Sequence, residues 1–322
     1  MLDVFTGGPI KDKIRRELDA PLIKKTSKDG KEKLSYFGLS GPLLYDIIEW
    51  QDYLKDFTVV EESYTGRRER SKERNRQELL LKTSFIVDLQ DSKGVINDFL
   101  TLLYGDIDRD IILKGKGDFD KELPKKYFGL IYLDYYGGIF KAKYREDAIK
   151  KFIYNQKEIS EKDRDYVLLI TVENLDRGKK EKSTLISEIL DNLELTRVDS
   201  ECLKTFKRYI SSCSYGLLQK IYVPIQIYLY IKSCGDEIRC SDPVIYREEK
   251  IGSLQTAEML HFRFVISIKK NRKTASPMIK DIIDIYNLNL LTVEEGKIVP
   301  CREQTPKLFL KKEKGAKEYS TC

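Results

Sequence analysis

Histidine occurs once in the 322 residues, at His261, and tryptophan once, at Trp50. A single imidazole excludes a metal site built from several histidines, and a Ser-His-Asp arrangement would have to recruit His261 itself. Cysteine is missing from the first 201 residues; Cys202, Cys213, Cys234, Cys240, Cys301 and Cys322 all lie beyond them. No apolar run reaches the length of a membrane span, and the N-terminus MLDVFTGGPIKDKIRRELDAP has no signal-peptide core. A cytoplasmic location with no membrane contact is therefore expected, with the thiols free in a reducing compartment. Two alternatives stand beside free thiols. One is a zinc site from Cys202, Cys213, Cys234 and Cys240, which lacks the close C-x-x-C pairs that such sites favour. The other is a disulfide across the segment CGDEIRC.

What is present is ample apolar and charged material. Hydrophobic residues at 41% supply a sizeable core, so disorder is excluded, and the length suits one large domain with smaller attachments. The balance of 58 basic against 52 acidic residues, net +6, permits an anionic partner without demanding one.

Along the chain, short apolar runs closed by turn residues alternate with helical patterns. Residues 1–32 read as a basic, largely irregular extension with one short helix near Asp12 to Leu18. Strands are expected at Lys33–Phe37, Phe57–Val60, Phe99–Tyr104, Gly129–Leu133 and Tyr166–Val172. Helices are expected from Pro42 to about Lys55, over 64–82, from Tyr144 to Lys157 and from Ser183 to Asn192. Two late alternating runs, KIYVPIQIYLYI over 220–231 and MLHFRFVISI over 259–268, read as an antiparallel pair, with Pro224 marking an edge or bulge. A helix follows across 278–291, and residues 311–322 form a charged tail. The pattern predicts an α/β fold: a Rossmann-like, doubly wound, mostly parallel sheet over 33–274, finished by an antiparallel hairpin and followed by a helical extension over 275–322.

In such a sheet ligands bind at the C-terminal ends of the strands, and the conspicuous residues sit there. Gly38 and Gly41 bracket the first strand-to-helix turn, where backbone N–H groups can approach an anionic or carboxylate-bearing ligand. Glu61, with Glu62 as a near-equal candidate, ends the second strand 23 positions after Gly38, suited to two ribose hydroxyls. Asp106 follows the third strand. Asp134, Tyr135 and Tyr136 close the fourth, ahead of Gly137 and Gly138, placing a carboxylate and two rings at the mouth.

This order of features resembles the class I S-adenosylmethionine-dependent methyltransferase family over about residues 33–270. The resemblance implies S-adenosylmethionine as cofactor, held by Gly38 and Gly41, by Glu61 at the ribose and by Asp106 at the adenine. It places Asp134, Tyr135 and Tyr136 at the methyl-transfer centre. The family's acidic residue followed by G-x-G-x-G is here Phe37-Gly38-Leu39-Ser40-Gly41, and its Asp-Pro-Pro-Tyr type of motif is here Asp-Tyr-Tyr-Gly. Two readings follow: a methyltransferase with nucleic acid among its candidate acceptors, or a catalytically inactive methyltransferase-like binding module that has lost the cofactor site and serves in a nucleic-acid-related assembly. Basic runs at Arg67–Arg76, at Lys179, Lys180 and Lys182, and at Lys269–Lys273 would serve a nucleic-acid partner if they converged on the strand-end face.

Overall fold

Five apolar runs become parallel strands: β1 Leu34–Gly38, β2 Leu54–Glu61, β3 Leu100–Tyr104, β4 Leu130–Asp134 and β5 Arg164–Glu173. The computed structural model describes residues 8–39, 45–61, 100–104, 106–113, 125–135, 139, 144–174, 181–194, 200–249, 256–302, 304–305, 307–313 and 316–321. Gly41, Glu62, Tyr136, the helix expected over 64–82 with its Arg67–Arg76 run, Lys179 and Lys180 lie outside these residues.

After β5 come β6 Glu237–Cys240, β7 Val244–Glu249, β8 Thr256–Ile268, β9 Leu291–Glu294 and β10 Lys297–Pro300. The strand order is β10-β9-β7-β8-β5-β4-β1-β2-β3, with β6 also paired to β8. The stretch β3-β2-β1-β4-β5 is parallel throughout and reverses direction of progress between β1 and β4, the switch point of a doubly wound sheet. Strand β8 then runs antiparallel to both β5 and β7.

Side-chain alternation divides the sheet into two buried faces. Tyr36, Val59, Leu130, Tyr132, Val167 and Leu169 point to one, against Ile23, Ile47 and Trp50. That face is covered by α1 Gly8–Ile14, α2 Ala20–Thr26 and α3 Tyr45–Trp50. Phe37, Ile131, Leu133, Leu168 and Ile170 point to the other. There lie α4 Arg145–Ile159, α5 Lys182–Glu194, α6 Ser200–Ser212, α7 Tyr215–Ser233 and α8 Ile279–Tyr286. Phe37 sits between Phe128 and Phe152, with ring centroids 5.2 and 4.7 Å away.

The run 220–231 is not a strand. It lies within α7, whose N-cap Ser214 accepts the Leu217 N–H and which carries Pro224 in its interior. This helix is buried along nearly its whole length, so it shows no polar stripe and no 3.6-residue period. The partners of β8 are therefore β5, β6 and β7, and the last two come from the polar link between the two alternating runs. Residues 8–26, expected to be mostly irregular, are helical, with a π-helical turn over Arg15–Asp19 joining α1 to α2. Helix α3 stops at Trp50, earlier than expected, because β2 already begins at Leu54. The charged tail forms a two-stranded hairpin, β11 Leu308–Glu313 with β12 Ala316–Thr321.

Charged groups are buried on the second face as well, Lys220 among them. Lys220 of α7 is 0% exposed, donating to the Tyr286 carbonyl at 3.3 Å and to Thr305 Oγ1 at 3.0 Å. These partners tie α7 to the C-terminal end of α8, where the Tyr286 carbonyl accepts from both Lys220 and the Thr305 hydroxyl. Burial, together with the nearby Lys307, pushes the Lys220 ammonium down to about 8. Cys213, Cys234, Cys240 and Cys301 are free thiols, so the disulfide between Cys234 and Cys240 does not form.

Candidate functional site

Because β1 to β5 are parallel, their C-terminal ends share one edge, and acids close several of them. Glu61 ends β2, Asp134 ends β4 and Glu173 ends β5. Strand β7 points the same way, and Glu248 stands near its end. This edge therefore carries a row of acidic residues, of which Glu173 is buried.

The pleat sends Asp134 and Tyr135 to opposite faces. Asp134 follows Leu130 and Tyr132 onto the first face, where Lys11 Nζ donates to its Oδ2 at 2.5 Å. The same ammonium lies 3.6 Å from Glu248 Oε1, so Lys11 bridges β4 and β7 across the intervening β5 and β8. Burial alone pulls the Lys11 ammonium down, but Asp134, Tyr246, Tyr132 and Glu248 outweigh it and hold it well above the ordinary lysine range. Burial raises the Glu248 carboxyl, with Lys11 opposing.

Lys11 is one of a stripe. Arg15 and Asp19 follow at four-residue steps and are buried on the same side of the helical segment. Arg15 Nε pairs with Asp46 Oδ1 at 2.5 Å, and its Nη1 reaches Asp12 at 2.8 Å. Asp19 Oδ1 lies 3.0 Å from His261 Nε2, and His261 Nδ1 lies 2.8 Å from Thr171 Oγ1. The sole histidine is thus a buried link between the N-terminal helices and the sheet. Sequence reading missed Lys11, Arg15, Asp19 and Glu248. The spacing of the first three was visible, but the partners of Lys11 and Asp19 stand far along the chain.

Tyr135 is buried on the second face, which corrects the expectation of a ring at the mouth. Its hydroxyl donates to Asp108 Oδ1 at 2.7 Å, and the Arg145 guanidinium stacks over its ring at 3.9 Å. Arg145 Nε also donates to Asp108 Oδ2 at 3.1 Å. Burial raises the Asp108 carboxyl while Arg145 and Tyr135 oppose, and burial with Asp108 raises the Tyr135 hydroxyl well above its usual range. Asp106 caps the π-helical segment Ile107–Leu113: its Oδ1 accepts the N–H groups of Asp108 at 3.0 Å and Arg109 at 2.8 Å. Its Oδ2 accepts the Tyr144 hydroxyl at 3.1 Å. Both oxygens of the expected adenine contact are engaged within the protein.

Gly38 ends β1, and Leu39 N donates to the Tyr132 carbonyl at 3.0 Å. A Cβ at Gly38 would stand 2.5 Å from that carbonyl oxygen and 2.5 Å from the Tyr36 hydroxyl. Packing of β1 on β4 accounts for this glycine.

The run Lys269–Lys273 follows β8 at the other end of the sheet, because Ile268 pairs with Arg164, the first residue of β5. It does not converge on the strand-end acids. Arg272 Nη1 lies 3.4 Å and Lys269 Nζ 3.9 Å from Glu237. No helix among the described residues is long and apolar enough to cross a membrane.

No family model matches the chain, and no curated protein matches it. Solved structures do. A Listeria monocytogenes protein provisionally described as a class I S-adenosylmethionine-dependent methyltransferase is 12% identical, over 87% of this chain and 64% of that one, with a TM-score of 0.38. Magnesium protoporphyrin IX methyltransferase (ChlM) from Synechocystis PCC 6803, with bound SAH, is 9% identical over 81% and 91%, with a TM-score of 0.36. The plantazolicin methyltransferase BamL, in complex with a triazolic desmethylPZN analog and SAH, is 12% identical over 80% and 86%, with a TM-score of 0.37. Likeness at this level decides nothing alone; the chain's own strand order, parallel β1–β5 with an antiparallel finish, does. The fold is class I methyltransferase-like.

Acidic residues end β2, β4 and β5, a donor set whose chemistry would fit a cationic sulfonium and a ribose diol better than a phosphate.

Proposed function

We propose that this chain is an S-adenosylmethionine-dependent methyltransferase whose transfer centre lies at Asp134. The observation that carries the reading is the acid row on the C-terminal edge, at the topological switch of a doubly wound sheet. The cofactor supplies a methyl group already activated on sulfur, so the protein has mainly to align and exclude. Glu61 holds the ribose hydroxyls. The close approach of β1 and β4, with the Tyr36 hydroxyl beside it, leaves no room for a side chain at Gly38. Asp134 orients the acceptor and holds its proton. Tyr135 supports this arrangement from the opposite face, by fixing Asp108 and Arg145 beneath the β4 exit.

Nucleic acid stands among the candidate acceptors, and the strand-end acids favour a neutral or cationic acceptor group over a phosphate. A second reading, a cofactor-free binding module, draws support from Asp106, whose carboxylate is engaged as a cap. Calorimetric titration with S-adenosylmethionine and S-adenosylhomocysteine separates the two. Binding at about 100 times Kd adds roughly 2.7 kcal/mol of stability, read as a raised melting midpoint. Absence of both heat and stabilisation at millimolar ligand would remove the enzyme reading in favour of the module.

A further inference from the structure

We propose that Lys11 is a positioning residue of the methyl-transfer centre: it fixes the Asp134 carboxylate and sets the charge that the centre shows to a sulfonium. This rests on the methyltransferase reading above.

Lys11 stands in an unusual place for a lysine. Its ammonium is buried between the sheet and its own helix, reaches acids on β4 and β7, and lies one turn before Arg15 in a stripe of buried charge. A helix that needed only to cover the sheet would present apolar residues there, as the next step of the same stripe does at Ile23. Buried ion pairs add little to stability compared with apolar packing of similar volume. Their effect here is on charge. With Lys11 in place, the Asp134–Glu248 region carries one cation against two carboxylates. Without it, both acids lose their paired cation and are left with the more distant Arg15, itself paired with Asp46 and Asp12. Other charged groups on this patch include Arg15 with Asp46 and Asp12, Asp19 with His261, and Glu173 at the end of β5. Lys11 is therefore the group whose loss changes the charge at Asp134 most directly.

The positioning role predicts a change in ligand preference, not merely in affinity. S-adenosylmethionine carries a positive sulfur, and S-adenosylhomocysteine carries a neutral one. Dissociation constants for both, measured by calorimetry on the full chain, give a ratio that reports the charge at the sulfur. In Lys11→Met the preference for S-adenosylmethionine should rise roughly fivefold to thirtyfold, the size expected of one unit charge acting through partly wet protein. Lys11→Arg should keep the wild-type ratio. If Lys11 only anchors its helix, Lys11→Met weakens both ligands equally, and an unchanged ratio overturns the proposal. Should that variant fail to fold, Glu248→Gln removes a negative charge while leaving the Lys11–Asp134 pair. It must then shift the ratio the other way, and no shift is equally fatal. Binding of neither ligand to the wild type overturns the function reading and this one together. Binding of both with an unmoved ratio overturns this one alone.

Discussion

Replacing Lys220 by Met should change how the stability of this protein depends on pH. In the folded chain the ammonium is fully buried against a carbonyl and a hydroxyl, neither of them charged, and it is pushed down to about 8. In the unfolded chain it titrates near the ordinary lysine value of about 10.4. Between these two values the unfolded chain binds the extra proton, so the wild type gains stability as pH rises through that window. Below pH 8 the full cost of keeping the cation inside is present. At about 1.36 kcal/mol per pH decade the gap amounts to roughly 3 kcal/mol. Methionine fills a similar volume and cannot titrate. The stability difference between Lys220→Met and wild type should therefore favour the variant most near pH 7 and shrink by about 3 kcal/mol toward pH 10.5. Urea unfolding midpoints at intervals of one pH unit measure it, and buried tyrosines that titrate in the same range cancel between the two proteins. Parallel curves for variant and wild type across pH 7 to 10 would refute the buried-ammonium account.

Two further substitutions test the site's supports. Tyr135→Phe leaves buried Asp108 with Arg145 as its remaining side-chain partner among the contacts described, and should cost about 1–3 kcal/mol in thermal or urea unfolding. S-adenosylhomocysteine affinity should stay within a factor of about three, since the ring points away from the strand-end acids; a large loss would place Tyr135 at the ligand instead. Gly38→Ala drives a Cβ to within 2.5 Å of the Tyr132 carbonyl and should separate β1 from β4, lowering stability by about 1–3 kcal/mol and weakening the same ligand. Unchanged midpoint and affinity would show that the β1 exit relaxes freely.

The parallel strands were legible because each is a short apolar run bounded by a turn or an acid, a pattern that helices of this length do not produce. Helix α7 was not. Ile221, Val223, Ile225 and Ile227 alternate like a strand, and burial on all sides leaves no polar face to betray the helical period. Length was the usable signal: 19 residues of continuous helix exceed what one buried strand needs. Strand β8 was legible while its neighbours were not, since β6 and β7 carry polar residues on a partly exposed margin. Of the candidate site, the acids ending β2 and β4 could be named from their position after apolar runs. The facing of Asp134 and Tyr135 depended on pleat register, and the engagement of Asp106 depended on the π-helical segment that follows it. The burial of Lys11 and Asp19 could not be recognised, because their partners are supplied by strands more than a hundred residues away.

The placement of the basic run after β8 has a consequence for reach. Asp134 is level with Thr171 in β5, and Ile268, which precedes the run, is level with Arg164. Seven residues of strand at about 3.3 Å each separate those levels, roughly 23 Å. A polyanion gripped by Lys269 to Lys273 would lie against the far margin of the sheet, and the strand β5 would act as a spacer of fixed length. Any group of that polyanion that met Asp134 would have to lie about two-thirds of a helical turn of duplex from the point of grip, a full turn being roughly 34 Å.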